Sequence, residues 1–166
     1  MSSKPDMGRV APAWDAFWKN EWRGPLVAAV VPKSGVPPSP KPSSYAAGPD
    51  LDVDAFADQA LRWVETHEFV GAAVPFVYLE FAADQFASFL GADLLFPTPG
   101  EGGWPTHPYA DVALADLEIR FERDGTWWRR VSAIAARLME RWAGDILVAA
   151  PTFVANLDAL VALRGA

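Results

Sequence analysis

The sequence contains no cysteine and only two histidines, His67 and His107. The absence of cysteine excludes disulfide bonds, thiolate catalysis and any zinc site built from thiolates. With two histidines available, a metal site would need carboxylates from distant segments of the chain. We therefore expect no metal site and no bound cofactor.

Basic residues are also scarce, with 14 Lys and Arg against 21 Asp and Glu, which gives a net charge of −7. An acidic surface repels phosphate backbones, so nucleic acid is not an expected partner. Long apolar runs are missing, so no helix is expected to span a membrane. The first ten residues lack the apolar segment of a signal peptide. The sequence therefore predicts a soluble, cytoplasmic protein.

What the chain does contain is typical of a packed globular protein. It has 166 residues, of which 51% are hydrophobic, enough for one domain. We interpret residues 1–10 as a flexible lead and residues 11–166 as a single domain. From residue 11 the spacing predicts a helix with an aromatic face directed to the core, formed by Trp14, Phe17, Trp18 and Trp22.

Three short apolar runs, at residues 26–31, 74–79 and 146–150, are typical of strands buried on both faces. Between them the pattern predicts two long helices, one over residues 51–69 and one that follows Thr126 as its N-cap and ends at a Gly144 terminator. Strands that alternate with helices in this way predict an α/β fold with a parallel sheet. Ligands of such sheets bind where the strands end at their carboxyl edge.

Four segments stand out by their order and spacing: Trp14-Asp15-Ala16-Phe17-Trp18 with Gly24-Pro25, Phe89-Leu90-Gly91-Ala92, Trp127-Trp128-Arg129-Arg130, and Asn156 through Gly165. Together they resemble the amino-terminal half of the uroporphyrinogen decarboxylase-like superfamily, in particular its uncharacterised bacterial members. The resemblance covers almost the whole chain and implies a partial TIM (β/α)8-type barrel. On this reading, the chain supplies the first three to four βα units of the parallel sheet.

The resemblance also implies residues for a ligand site. After the first strand, Pro32 and Val36 stand where the decarboxylases carry arginines, and Lys33 is the remaining cation for a substrate carboxylate. After the second strand, Glu80 occupies the place of the acid that binds pyrrole N–H groups. After the third strand, Thr152 and Asn156 follow in the place of the family's Asp and Asn, and we assign both to substrate binding. For Asn156, a capping role at the last helix is the competing interpretation.

A proline-rich loop contributes the remaining candidates, in the segment Trp104-Pro105-Thr106-His107-Pro108-Tyr109. Imidazole is the side chain suited to acid–base chemistry near neutral pH, so His107 joins Glu80 as a candidate catalytic residue. Trp104 is a candidate for lining the substrate pocket. The alternative is that these aromatic residues only pack the loop, and His67 is expected to be a surface histidine.

These residues lead to two hypotheses. The first is a cofactor-independent, carboxy-lyase-like protein or a binder of a small carboxylated or tetrapyrrole-like ligand. The second is a non-catalytic, truncated half-barrel or partner-binding subunit. A full barrel of this type needs about 250 residues. We therefore expect a homodimer, or a missing carboxyl-terminal half, to close the sheet.

Overall fold

A computed structural model describes residues 3–98, 101–154 and 156–165. The chain is a mixture of helices and short strands, as the sequence predicted. In chain order the elements are α1 (Met7–Trp18), β1 (Ala28–Pro32), α2 (Val53–Thr66), β2 (His67–Gly71), β3 (Phe76–Tyr78), α3 (Gln85–Ser88), β4 (Leu94–Leu95), β5 (Trp104–Pro105), α4 (Thr126–Trp142), β6 (Leu147–Ala149) and α5 (Leu157–Arg164). Short 3-10 helices occupy Ser44–Ala47 and Leu114–Asp116.

The contacts between Cα atoms divide the chain into two compact units. The first comprises Met1–Pro42, Asp52–Val77 and Leu138–Val148, and the second comprises Ser43–Leu51, Tyr78–Arg137 and Ala149–Ala166. The assignment of residues 11–166 to a single domain stays a prediction.

In the first unit, α2 is an amphipathic helix with a capped start. The Asp52 carboxylate accepts a hydrogen bond from Ala55 N at 3.0 Å, which satisfies one free N–H of the first turn. Its buried face consists of Phe56, Ala57, Ala60, Trp63 and Val64. The helix ends at Thr66, three residues earlier than predicted, because residues 67–71 form the strand β2.

The strand β2 pairs with β1 in antiparallel register, with Val30 opposite Phe69 and Ala28 opposite Gly71. The β4–β5 pair is antiparallel as well, so neither of these two pairs belongs to the parallel sheet that the sequence predicted. The prediction also failed for the burial of β1, whose residues are mostly exposed. Because β1 pairs with a strand that the sequence pattern had assigned to a helix, its neighbours differ from those expected.

Lys4 covers the outer edge of β2. Lys33 N donates to Thr66 O and Ala72 N donates to Val27 O, so the backbone groups of Thr66 and Ala72 face β1. Successive residues of a strand direct their backbone groups to opposite sides, so the carbonyls of Phe69 and Gly71 face away from β1. The buried Lys4 ammonium donates to both, at 2.6 and 2.9 Å. It therefore occupies the position that a third strand would take.

Asp6 completes this arrangement, with its carboxylate 3.0 Å from the Lys4 ammonium. The hydrogen bonds that Lys4 and Arg9 donate hold the pKa of Asp6 below its usual value. The helix α1 begins beside it at Met7, four residues before the predicted start. The aromatic face of α1 was predicted to lie in the core, and this is wrong, since Trp18 is 77% exposed.

In the second unit, aromatic side chains pack around the first turn of α4. The Trp127 ring lies 5.2 Å from the ring of Phe81 and 5.5 Å from that of Phe96. Its indole N–H donates to the Asp93 carboxylate at 2.8 Å, which satisfies the polar atom of a buried tryptophan. Gly103 lies so close to Phe96 that a Cβ atom there would meet the ring at 2.8 Å. These contacts hold the β4–β5 hairpin against the start of α4.

The helix α4 runs from Thr126 to Trp142, close to the predicted bounds, but Thr126 is its first helical residue and not the predicted N-cap. Gly144 has a φ of +88°, which suits a helix terminator. The predicted strands at residues 74–79 and 146–150 correspond to β3 and β6, which lie side by side in a two-stranded sheet.

Candidate functional site

Two predicted site residues, Glu80 and Thr152, meet in the second unit. Glu80 follows the end of β3 by two residues, and Thr152 follows the end of β6 by three. The Glu80 Oε1 atom accepts hydrogen bonds from the Thr152 hydroxyl at 2.6 Å and from the Thr152 backbone N–H at 3.3 Å. Glu80 is only 8% exposed. A nearly buried carboxylate thus lies at the ends of two neighbouring strands, held by a hydroxyl and an amide.

The backbone around Glu80 is held by a buried amide side chain. Gln85, which is 0% exposed, accepts a hydrogen bond from Phe81 N at 2.8 Å and donates to Leu79 O at 3.4 Å. Glu80 N donates to Ser44 O at 3.2 Å. Both neighbours of Glu80 are therefore fixed by one side chain, which also satisfies two backbone groups that have no strand partner at these positions. Gln85 is a positioning residue.

The second carboxylate oxygen of Glu80 is available to a ligand. In the described part of the chain, every fully buried side-chain oxygen or nitrogen has a hydrogen-bond partner. The bonds of Glu80 from Thr152 both go to Oε1, so Oε2 reaches solvent. An ionised carboxylate accepts hydrogen bonds only. The site can therefore bind a group that donates an N–H or O–H.

His107 and Trp104 lie together in a different place in the second unit, at an open cleft of about 500 Å³ that Asp84 and Asp158 also line. His107 Nδ1 lies 3.0 Å from the Ala162 carbonyl oxygen, and Trp104 is 66% exposed. Glu80 does not line this cleft. The roles predicted for Glu80 and His107 stay predictions.

Lys33 belongs to the first unit. Its ammonium donates to Glu65 O at 2.8 Å, and it lines a cavity of about 490 Å³ together with His67 and Glu68. His67 is only partly exposed and lies 2.8 Å from Trp63 O through Nδ1. The substrate-binding role assigned to Lys33 stays a prediction.

Asn156 occupies the N-cap position of α5 with a φ of +60°. Its side chain is exposed and makes no capping hydrogen bond with the described residues. The competing interpretation, that the Asn156 side chain caps α5, is therefore wrong. Its ligand-binding role stays a prediction.

Within residues 3–98, 101–154 and 156–165, no group of three or more histidine, aspartate or glutamate side chains is arranged to hold a metal ion. Over the same ranges, none of the helices has both the length and the apolar character needed to cross a bilayer.

Comparison of the chain with protein-family models, with curated proteins and with solved structures found no significant match.

Proposed function

We propose that this chain is a uroporphyrinogen decarboxylase-like protein, related to the first βα units of a (β/α)8 barrel, that binds a tetrapyrrole-like carboxylated ligand. The observation that carries the proposal is the Glu80–Thr152 pair. In the superfamily that the sequence resembles, an acid at this strand end accepts pyrrole N–H groups. The adjacency of β3 and β6 is consistent with that architecture.

The chemistry of the pair suits this ligand. A pyrrole N–H is a donor with no acceptor, and Glu80 offers a carboxylate oxygen that reaches solvent while the rest of the side chain is buried. The Thr152 hydroxyl, at 2.6 Å from Oε1, restricts the rotation of the carboxylate. A ligand would therefore meet an acceptor that is already oriented, which lowers the entropic cost of binding.

We favour binding over catalysis. Decarboxylation leaves a carbanion that must be protonated by an acid within hydrogen-bond reach. His107, the predicted acid, lines a cleft from which Glu80 is absent. The arrangement of these two residues thus supports recognition of the ligand more directly than a lyase reaction.

The test is titration calorimetry with uroporphyrinogen, kept reduced under anaerobic conditions. We expect Glu80→Gln to weaken binding about tenfold to a hundredfold, because hydrogen bonds to charged groups contribute about 1.5–3 kcal/mol. Glu118→Gln is the matched control, because Glu118 lies in the same unit and forms an exposed ion pair with Arg120. Equal affinity of the wild type and the Glu80→Gln variant would overturn the proposal. Mass spectrometry of the recovered porphyrins would reveal any loss of CO2, which the binding proposal does not predict.

A second candidate function is association with a second copy of the chain. Alternation along β1 places Val27 and Val31 on one face of the β1–β2 pair, and Val70 lies opposite Ala29 on the same face. All three valines are exposed, and we call them the valine patch. An apolar patch on a two-stranded pair favours a protein partner. Light scattering coupled to size exclusion would show a dimer if this function holds, and a monomer at all concentrations would refute it.

A further inference from the structure

The open cleft of the second unit has acidic walls. Asp84 lies just before α3, and Asp158 lies in the first turn of α5. Neither carboxylate forms an ion pair or a side-chain hydrogen bond within the described residues. The described residues that line the cleft include no lysine and no arginine. The cleft therefore carries uncompensated negative charge and disfavours a carboxylated ligand.

The remaining lining is aromatic and apolar. Trp104 stands at the cleft with most of its side chain exposed, although tryptophan is usually well buried. Pro105, Val161 and Ala162 supply an apolar surface beside it. An indole face attracts cations through its quadrupole, and more strongly than the rings of phenylalanine or tyrosine do. The cleft thus combines a cation-attracting ring, two free carboxylates and an apolar surface.

The walls of the cleft are held together by the packing of the second unit. Asp158, Val161 and Ala162 are spaced to share one face of α5, and α5 packs against α3 through a cluster that includes Ala87 and Leu163. On the loop side, Tyr109 N donates to Leu163 O at 3.0 Å. The site is therefore formed before any ligand arrives, which favours binding.

His107 has a defined role in this wall. The Ala162 carbonyl can only accept a hydrogen bond, so Nδ1 of His107, 3.0 Å away, carries the hydrogen. His107 thus stands in the wall of the cleft with Nδ1 bound to the backbone of α5.

We propose that this cleft binds an organic cation, a primary or quaternary amine with an apolar body, through Asp84, Asp158 and the indole of Trp104. The ammonium group would lie near the carboxylates and against the ring, and the body would cover the apolar surface. The lining of this cleft does not include Glu80 or Thr152, and the proposal does not depend on the function proposed for that pair.

The probe is choline, and the reference ligand is dimethylbutanol, its neutral isostere in which carbon replaces nitrogen. Fluorine NMR of the full chain labelled with fluorotryptophan reports binding, with the Trp104 resonance assigned from a Trp104→Phe variant. We expect choline to bind at least about fivefold more tightly than the neutral isostere and to shift the Trp104 resonance. Asp158→Asn and Asp84→Asn should each weaken choline binding by up to about fivefold. The neutral isostere should bind both variants as it binds the wild type.

Asp111→Asn is the matched control, because Asp111 is an exposed acid of the same unit that does not line the cleft. It removes the same net charge and should leave choline affinity unchanged. Since Asp158 is exposed, its variant is not expected to disturb folding, and circular dichroism checks this. Equal binding of choline and its isostere, an unmoved Trp104 resonance, or an equal loss of affinity in Asp111→Asn would overturn the proposal. The uroporphyrinogen titration is unaffected by any of these results, so failures of the two proposals can be told apart.

Discussion

Replacing Gln85 by methionine tests whether a single buried amide holds the backbone on both sides of Glu80. Methionine has a similar length and volume but neither donates nor accepts a normal hydrogen bond. The substitution leaves Phe81 N and Leu79 O without the partner that now lies 2.8 and 3.4 Å away. Each unsatisfied buried group costs about 1–3 kcal/mol.

The expected loss of stability is the cost of the two lost hydrogen bonds minus the gain from burying a thioether. The shorter bond, from Phe81 N, is expected to account for most of the cost, because the bond to Leu79 O is long. The two losses together are about 3–4 kcal/mol. Burying a thioether in place of an amide offsets about 1 kcal/mol. We therefore expect Gln85→Met to lower the free energy of unfolding by about 2–3 kcal/mol.

Urea unfolding followed by tryptophan fluorescence measures this difference, provided that the m-value is unchanged. Gln59→Met is the matched control, because Gln59 is only partly buried and its one side-chain bond, to Pro40 O, is 3.5 Å long. That variant should change stability by less than about 0.5 kcal/mol. If Gln85→Met were as stable as the wild type, or if both variants lost the same amount, the positioning role of Gln85 would be wrong.

Two further predictions concern the first unit. Lys4 and Arg9 lower the pKa of Asp6 from 3.8 in the folded chain. The ionised Asp6 carboxylate therefore stabilises the fold fully above pH 3.8, and this stabilisation is lost as the pH falls through the lower folded pKa. Acid titration of stability should therefore show a steeper loss for the wild type than for Asp6→Asn below pH 3.8, and parallel curves would contradict this. In light scattering, Val31→Thr with Val70→Thr should shift a dimer toward monomer, whereas Val36→Thr, at an exposed position away from the valine patch, should not.

Much of the element order could be predicted from the sequence, because it depends on local patterns. The helix α4 was predicted to within about a residue at its start, since its apolar stripe is regular and a glycine follows its end. The strand β2 was missed because no glycine or proline separates it from α2, and the first glycine after the helix is Gly71. The pairing that replaces the helix there is long-range: Lys33 N donates to Thr66 O at 2.9 Å, and β1 pairs with β2 beyond it. A local pattern does not contain that contact.

Part of the candidate site could likewise be predicted from the sequence, and part could not. Glu80 could be found because an acid directly after an apolar strand stands out, and its meeting with Thr152 follows from the adjacency of two strand ends. Gln85 could have been noticed as an amide in the otherwise apolar segment around it. The exposure of the aromatic face of α1 could not be read from periodicity, because periodicity shows which residues share a face and not what that face meets.

The contact between Lys4 and β2 has a practical consequence for handling the protein. An unpaired strand edge is a template for adding strands from other molecules, and here one ammonium group occupies that edge. A deletion up to Met7, or a fusion that pulls Lys4 away, would release the carbonyls of Phe69 and Gly71. Preparations that differ only in their first few residues would then differ in their tendency to aggregate.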